Sequence, residues 1–244
     1  MLGITNRRLS FMAKSNKCFL IGLSVTLLII SPLTFAEKRP DFVCGKFIET
    51  IFTVSEKYLL IPPKYMNNEK QKDNDDCNNK FELLELFATW PEMSSTRHQS
   101  YAEAGIEYAN GYKEIRISLM PTTRTDTDLA SELYFYYDKS ANKIAGKLKV
   151  DDTLGLFYID RVEMFKTGDF IMSRNYWTLY DFKIPIFIKC YYIPKMKDYS
   201  ECRLMFVLPE MQASVNVLFF KNKLPQWKEI STSTKTFLLS HIKR

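Results

Sequence analysis

Two runs of sequence decide the fold: Ile186-Phe187-Ile188-Lys189-Cys190-Tyr191-Tyr192-Ile193 and Cys202-Arg203-Leu204-Met205-Phe206-Val207-Leu208. Both are rich in β-branched and aromatic residues, which favour strands. The segment 194–201 between them begins with proline and contains lysine, aspartate and serine, as expected for a hairpin loop. The pattern therefore predicts two neighbouring antiparallel strands.

The cysteines of these two runs favour a disulfide across the hairpin. Directly opposed residues at a non-hydrogen-bonded position of an antiparallel pair have Cα atoms about 4.5 Å apart, at the short end of what a disulfide tolerates. Four cysteines remain once the leader described below is removed, and they allow three connectivities. The spacing favours Cys190 with Cys202, so that Cys44 pairs with Cys77 and ties the polar loop 67–79 to the first strand. Each closure is worth about 3 kcal/mol in the chain-entropy model.

Residues 1–36 predict an export signal. Four basic residues precede an apolar run over 18–30, and a break at Ser31-Pro32 leads to the small-residue cleavage site Thr34-Phe35-Ala36. The apolar run is shorter than the roughly 20 residues that a membrane-spanning helix needs, which favours cleavage after Ala36 over a retained anchor. We therefore expect a periplasmic protein that meets the membrane only through its transient signal peptide, in a compartment where disulfides form.

The charge balance changes when the leader is removed. The whole chain has 34 basic and 28 acidic residues and a formal net charge of +6, but four of the basic residues lie in the leader. The mature chain therefore has a charge of only about +2, which gives no support to a nucleic-acid partner.

The rest of the chain is typical of a single domain over 37–244, with 121–130 as the place where two small subdomains would meet. Further candidate strands cover 42–52, 81–87, 114–120, 131–137, 143–149, 156–165, 170–174 and 214–220. The clearest helix covers 226–243, where apolar residues recur at helical spacing after Pro225, and a weaker one covers 100–108. The expected fold is α+β: a mainly antiparallel β-sheet, stapled by disulfides, with the C-terminal helix packed across one face.

No familiar catalytic motif is present. The sequence contains neither a nucleophile elbow nor a His-Glu-x-x-His, phosphate-loop or dinucleotide motif. His98 has serines nearby and is a conceivable base, while His241 is better explained as a helix-end residue. The carboxylate pairs Asp151-Asp152 and Asp126 with Asp128 are more typical of turns than of acid–base catalysis. The cysteine spacing is wrong for a metal site, so we expect no metal. Because the catalytic motifs are missing as well, we expect no cofactor and no enzyme activity.

Several short segments together resemble a known family. They are Val43-Cys44-Gly45-Lys46-Phe47, Ile61-Pro62-Pro63-Lys64-Tyr65, Trp90-Pro91-Glu92-Met93 and Leu224-Pro225-Gln226-Trp227-Lys228-Glu229-Ile230. In these segments the chain is similar to the periplasmic immunity proteins of bacterial type VI secretion systems, in particular those that neutralise phospholipase effectors. The resemblance implies a protein that acts by binding: a disulfide-stapled surface covers the active cleft of a cognate toxin or blocks its closure.

A binding role requires anchor residues, for which aromatic, methionine and arginine side chains are the usual choice. The candidates are Trp90, Met93, Arg97, Tyr134 and Tyr136, with Trp177 and Tyr180 as further possibilities. Two other functions fit the same sequence: a small exported hydrolase that uses His98 or a carboxylate pair, and a structural or interaction protein of the cell envelope.

Overall fold

The computed structural model describes residues 42–59, 61–66, 77–95, 113–138, 143–164, 170–193 and 198–243. The predicted export signal, the weak helix over 100–108, Arg97 and His98 lie outside the described residues.

The described chain forms twelve strands and two α-helices. The strands are β1 (Phe42–Phe47), β2 (Thr50–Ser55), β3 (Lys64–Tyr65), β4 (Phe81–Thr89), β5 (Glu114–Pro121), β6 (Lys143–Ala145), β7 (Lys149–Asp151), β8 (Leu156–Met164), β9 (Phe170–Trp177), β10 (Phe187–Ile193), β11 (Asp198–Leu208) and β12 (Ala213–Phe220). The helices are α1 (Ala130–Asp138) and α2 (Trp227–Ser240), and short 3-10 turns cover Glu56–Tyr58, Pro209–Met211 and Lys221–Gln226.

Ten of the strands form one sheet in the order β3-β4-β5-β12-β11-β10-β9-β8-β6, with β7 also paired to β8. Every pairing in it is antiparallel. Strands β1 and β2 form a separate hairpin. This architecture confirms the predicted fold class. Strands from both sides of 121–130 pair in the same sheet, because β5 lies beside β12; the predicted domain limits themselves stay a prediction.

The main core lies on one face of the sheet, under β1, β2 and α2. Strand β12 shows why: Ala213, Val215, Val217 and Phe219 are buried there and alternate with partly exposed residues, as a two-sided strand requires. Helix α2 adds buried residues at a spacing of three and four, which are Trp227, Ile230, Thr234, Phe237 and Leu238. Burial of each large apolar side chain contributes about 2 kcal/mol.

Two disulfides tie the strands together, and both join the pairs favoured by the sequence. Cys190 and Cys202 are directly opposed on β10 and β11, with Cα atoms 4.0 Å apart. Cys44 is bonded to Cys77, with Cα atoms 5.0 Å apart. The next residue, Gly45, lets β1 approach closely, because a Cβ there would lie 2.6 Å from the ring of Phe81.

A second, smaller apolar cluster lies on the opposite face of the sheet. Its buried members are Leu129, Ile159, Trp177, Ile184, Phe187 and Val207, and Ala130 and Leu133 of α1 pack against them. Helix α1 therefore covers the part of this face formed by β8 to β11.

The predicted strand over 131–137 is wrong, because these residues belong to α1. The aromatic run Tyr134-Phe135-Tyr136-Tyr137 has strong β-propensity, but the tertiary context overrides it. Asp128 Oδ1 accepts a hydrogen bond of 3.0 Å from the amide of Ala130, the first helical residue, which satisfies one of the amides left without a partner at the start of a helix. Leu133 then packs onto the second cluster.

Two other predicted strands are divided in the structure. The run 42–52 is a hairpin, in which β1 and β2 are separated by a turn whose residue Ile48 has φ 57°. The run 143–149 contains all of β6 and only the first residue of β7, and these strands pair with different parts of β8. Short polar or glycine-containing breaks inside apolar runs were the missed signal.

Candidate functional site

The turn between β9 and β10 has an unusual backbone. The Tyr180 amide donates to the Lys183 carbonyl and the Lys183 amide donates to the Tyr180 carbonyl, each with an N···O distance of 2.9 Å. The loop therefore contains only Asp181 and Phe182. Their φ angles are 48° and 57°. Positive φ at both central residues is the geometry of a type I′ hairpin turn, which strongly prefers asparagine and glycine. We call residues 179–183 the aromatic turn.

Phenylalanine at the second position of such a turn has a conformational cost of about 1 kcal/mol. Its side chain gains nothing from burial in return, because Phe182 is 94% exposed. Tyr180 and Leu179 beside it are 78% and 52% exposed. A contiguous group of exposed apolar side chains on a strained backbone is typical of a binding surface.

The base of the aromatic turn is held firmly. The Ile184 amide donates to Asp128 Oδ1 over 2.9 Å, and the Leu129 amide donates to the Ile184 carbonyl over 2.8 Å. At the end of β9, the Trp177 ring stacks on Phe157 at a centroid distance of 6.2 Å. The turn is therefore fixed to the second cluster and to the start of α1, which presents its tip with little loss of conformational entropy on binding.

Helix α1 carries another exposed aromatic residue beside this base. Tyr134 is 71% exposed, while its neighbour Leu133 packs against the second cluster. The segment before the helix is fastened by Arg124, whose Nη2 donates to Ser131 Oγ over 2.7 Å and to Glu132 Oε1 over 3.2 Å. Tyr134 thus lies on the helix whose start holds the base of the aromatic turn.

The other predicted anchors have different surroundings. Trp90 is buried and its Nε1 donates to Gln226 Oε1 over 2.7 Å, which joins the end of β4 to the start of α2. Met93 is half-buried against the main core and has φ 53°. Tyr136 lies in α1, but its side chain is outside the described part, as is all of Arg97. Partner binding by Trp90, Met93, Arg97, Tyr134 and Tyr136 stays a prediction.

The carboxylates considered for catalysis are used in turns. Asp126 Oδ1 accepts from the Asp128 amide over 3.3 Å, and Asp151 Oδ1 accepts from the Leu154 amide over 3.1 Å. His241 Nδ1 lies 2.8 Å from the Phe237 carbonyl oxygen at the end of α2. Within the described ranges, no group of three or more histidine, cysteine, aspartate or glutamate side chains could hold a metal ion.

Perturbed pKa values occur around the main core. Burial, together with the negative charge of Glu56, raises the pKa of Tyr65 to about 12. Burial also raises the pKa of Tyr58 and lowers the pKa of Lys235. Burial in the packed core causes all three shifts, so these pKa values reflect the folded packing around β2, β3 and α2.

Tyr180 was among the anchors predicted from the sequence, but Leu179 and Phe182 were not. The available signal was weak: Asp181, a residue that tolerates left-handed backbone, lies between two strand-forming runs. In the sequence, Phe182 next to Asp181 looks like part of a strand, because only the pairing of β9 with β10 shows that the loop has two residues.

Of the helices in the described part of the chain, none is long and apolar enough to cross a membrane.

Comparison with known proteins gives a structural likeness only. No protein-family model matches the sequence, and no curated protein matches it either. A solved structure, described as an immunity protein of the Stenotrophomonas maltophilia type IV secretion system, is similar with a TM-score of 0.53. The two sequences are 14% identical, and the likeness covers 84% of this chain and 94% of that one. At this identity the match shows a shared fold.

Proposed function

We propose that this chain is a periplasmic immunity protein that binds and neutralises a secreted antibacterial toxin, and that the aromatic turn is its main contact. The observation that carries the proposal is Phe182, which is 94% exposed and held in a left-handed conformation on a rigid base. Folding alone gives no reason to keep this side chain there. Aromatic residues that enter a pocket of a partner supply most of the energy of many interfaces.

The comparisons and the sequence point toward the same class of protein. The structural neighbour is described as an immunity protein of a type IV secretion system, whereas the sequence segments resemble immunity proteins of type VI systems. An immunity protein contacts the toxin rather than the machinery that delivers it. The proposed toxin-binding surface therefore does not depend on which type of secretion system delivers the toxin. Shared fold does not establish shared function, and the aromatic turn is the independent argument.

The resemblance in sequence also suggests the kind of toxin, a lipase or phospholipase whose active site is occluded. An enzyme that cleaves acyl esters needs an apolar cleft for the acyl chain, and such clefts are lined mainly by hydrophobic side chains. The tip of the aromatic turn offers Leu179, Tyr180 and Phe182 as an apolar projection of matching character. Insertion of the tip would exclude substrate without any catalytic group in this chain.

The compartment is part of the proposal. The disulfides Cys44–Cys77 and Cys190–Cys202 suit an oxidising environment such as the periplasm. An exported toxin that acts in that compartment would meet its immunity protein there.

A growth experiment tests this function. The candidate toxin is the product of the gene next to the one that encodes this chain. It is directed to the periplasm of a bacterial host, with or without this protein. We expect the wild type to restore growth and the double variant Tyr180→Ala/Phe182→Ala to fail. Phe42→Ala is the matched control, because Phe42 is also an exposed phenylalanine but lies on β1, away from the aromatic turn. Wild type that neither binds the adjacent product nor restores growth would refute the proposal.

A further inference from the structure

A small pocket lies on the open half of the sheet, on the face that carries the second cluster. Its volume is about 190 Å³, and it is lined by Glu85, Arg116, Ser118, Met120, Arg203, Asn216 and Leu218. These residues come from β4, β5, β11 and β12 and alternate with buried residues of the main core, so they point to the opposite side. The pocket is smaller than the roughly 300–1,000 Å³ of typical small-molecule sites.

The pocket and the aromatic turn are connected through this face. Asn216, which lines the pocket, is paired with Met205 of β11. Met205 in turn packs against the second cluster, from which the aromatic turn emerges. One partner protein seated on the aromatic turn would therefore extend toward the pocket.

The charges in the pocket are unequal. Two guanidinium groups, those of Arg116 and Arg203, face the single carboxylate of Glu85. Arg116 Nε is 4.0 Å from Glu85 Oε1, and Glu85 Oε1 also accepts a hydrogen bond of 3.2 Å from Ser118 Oγ. Arg116 Nε is buried and has no hydrogen-bond acceptor among the described residues. The positive charge therefore exceeds the negative charge inside the pocket.

Arg203 supplies the excess. Its side chain forms neither a hydrogen bond nor an ion pair with any described residue, although it is only partly exposed. Its neighbours on the same face are Lys189, the directly opposed residue on β10, and Glu201, two residues earlier on β11. Glu114, two residues before Arg116 on β5, is a further buried carboxylate on this face, but it does not line the pocket. Among the lining residues the cations outnumber the carboxylate by one.

We propose that this pocket binds a carboxylate of the toxin, the side chain of an aspartate or glutamate, as a second contact beside the aromatic turn; this rests on the proposed function. A guanidinium group binds a carboxylate through two parallel N–H···O bonds, which gives both strength and orientation. Ser118 and Asn216 provide further polar atoms at the rim. The small volume suits one side chain rather than a cofactor. The acidic contact would fix the direction in which the toxin lies on the tip of the turn.

The first test needs no toxin. The mature protein is titrated with sodium acetate, against sodium chloride at equal ionic strength, while the Nε–Hε signals of its arginines are followed by NMR. We expect saturable shifts for Arg116 and Arg203, and none for Arg174, which is already paired with Asp160. Absence of a saturable response at Arg203, or a stronger response to inorganic phosphate than to acetate, would overturn the assignment of a carboxylate.

The second test uses the product of the adjacent gene as the probe. Arg203→Glu should weaken its binding by about tenfold or more and reduce the salt dependence of association, because attraction becomes repulsion. The control Lys228→Glu makes the same change of charge on the solvent side of α2, which packs on the other face, and should leave binding unchanged.

The two proposals fail in different ways. If Phe182→Ala weakens binding and Arg203→Glu has no effect, the aromatic turn stands and the carboxylate contact is refuted. If acetate binds but the wild type does not bind the adjacent product, the proposed function falls, and the toxin carboxylate falls with it.

Discussion

Phe182 and Phe187 are the same residue type, five positions apart: Phe182 lies in the turn before β10, and Phe187 is the first residue of that strand. Phe187 is 0% exposed and packs in the second cluster, whereas Phe182 is 94% exposed. Phe187 also lies on an ordinary strand, paired with Trp177 and Met205, while Phe182 occupies a left-handed position. Packing explains the first residue completely. The second costs the fold energy, and the proposed contact with a toxin would account for its presence.

The largest expected effect comes from the buried member of the pair. Phe187→Ala removes a fully buried ring from the second cluster and should lower the free energy of unfolding by about 3–4 kcal/mol. Chemical denaturation at neutral pH measures this change. A loss below about 1 kcal/mol would show that Phe187 is not the packing residue that the comparison requires.

The disulfide on the same strand should have the next largest effect. Cys190→Ala/Cys202→Ala opens the closure between β10 and β11 and should lower the free energy of unfolding by about 3 kcal/mol. Since the aromatic turn is held from β9, Asp128 and Leu129, binding of the adjacent product by the folded fraction should persist. Loss of binding in a variant that remains folded would mean that the rigidity of the turn depends on this bridge.

Replacement of Phe182, the exposed phenylalanine, should raise the free energy of unfolding, whereas replacement of Phe187 lowers it. Asp181→Asn/Phe182→Gly gives the turn the residues that a type I′ geometry prefers and should raise the free energy of unfolding by about 1 kcal/mol. The same denaturation experiment measures it. A destabilised variant would show that Phe182 contributes to folding and would remove the contrast with Phe187.

Stability at high pH should depend on the buried side chain of Tyr65. Tyr65 stacks on Phe81, and its pKa is raised from 10.0 to about 12, so the folded state keeps this proton at pH values where the unfolded state loses it. Its contribution is complete below pH 10 and declines as the pH rises toward 12. Between about pH 9 and 11 the wild type should therefore lose about 1 kcal/mol more stability than Tyr65→Phe. Equal losses in the two proteins would contradict the pKa shift.

The sheet was largely predictable from the sequence because its signals are local. Alternation in residues such as Val215 and Val217 marks a strand with one buried side, and opposed cysteines at 190 and 202 mark a hairpin. Helix α2 follows from its spacing and from Pro225 before it. These patterns depend only on neighbours along the chain.

Three of the failures share one physical cause, which is that tertiary contacts decided the outcome. The strand predicted at 131–137 became α1 because Asp128 binds the first amide of the helix and Leu133 packs on an apolar cluster formed by distant strands. Phe182 was missed because its exposure depends on the register of β9 with β10. Likewise, Arg116 and Arg203 lie far apart in sequence and share a pocket only once β5, β12 and β11 are adjacent.

Whether Phe182 is kept for binding is tested most directly by the affinity of Phe182→Ala for the product of the adjacent gene, measured by calorimetry beside its free energy of unfolding. We predict an affinity about 30-fold weaker or more, equivalent to about 2 kcal/mol, with stability unchanged or slightly higher. Unchanged affinity, or weaker binding that merely follows a loss of stability, would contradict it.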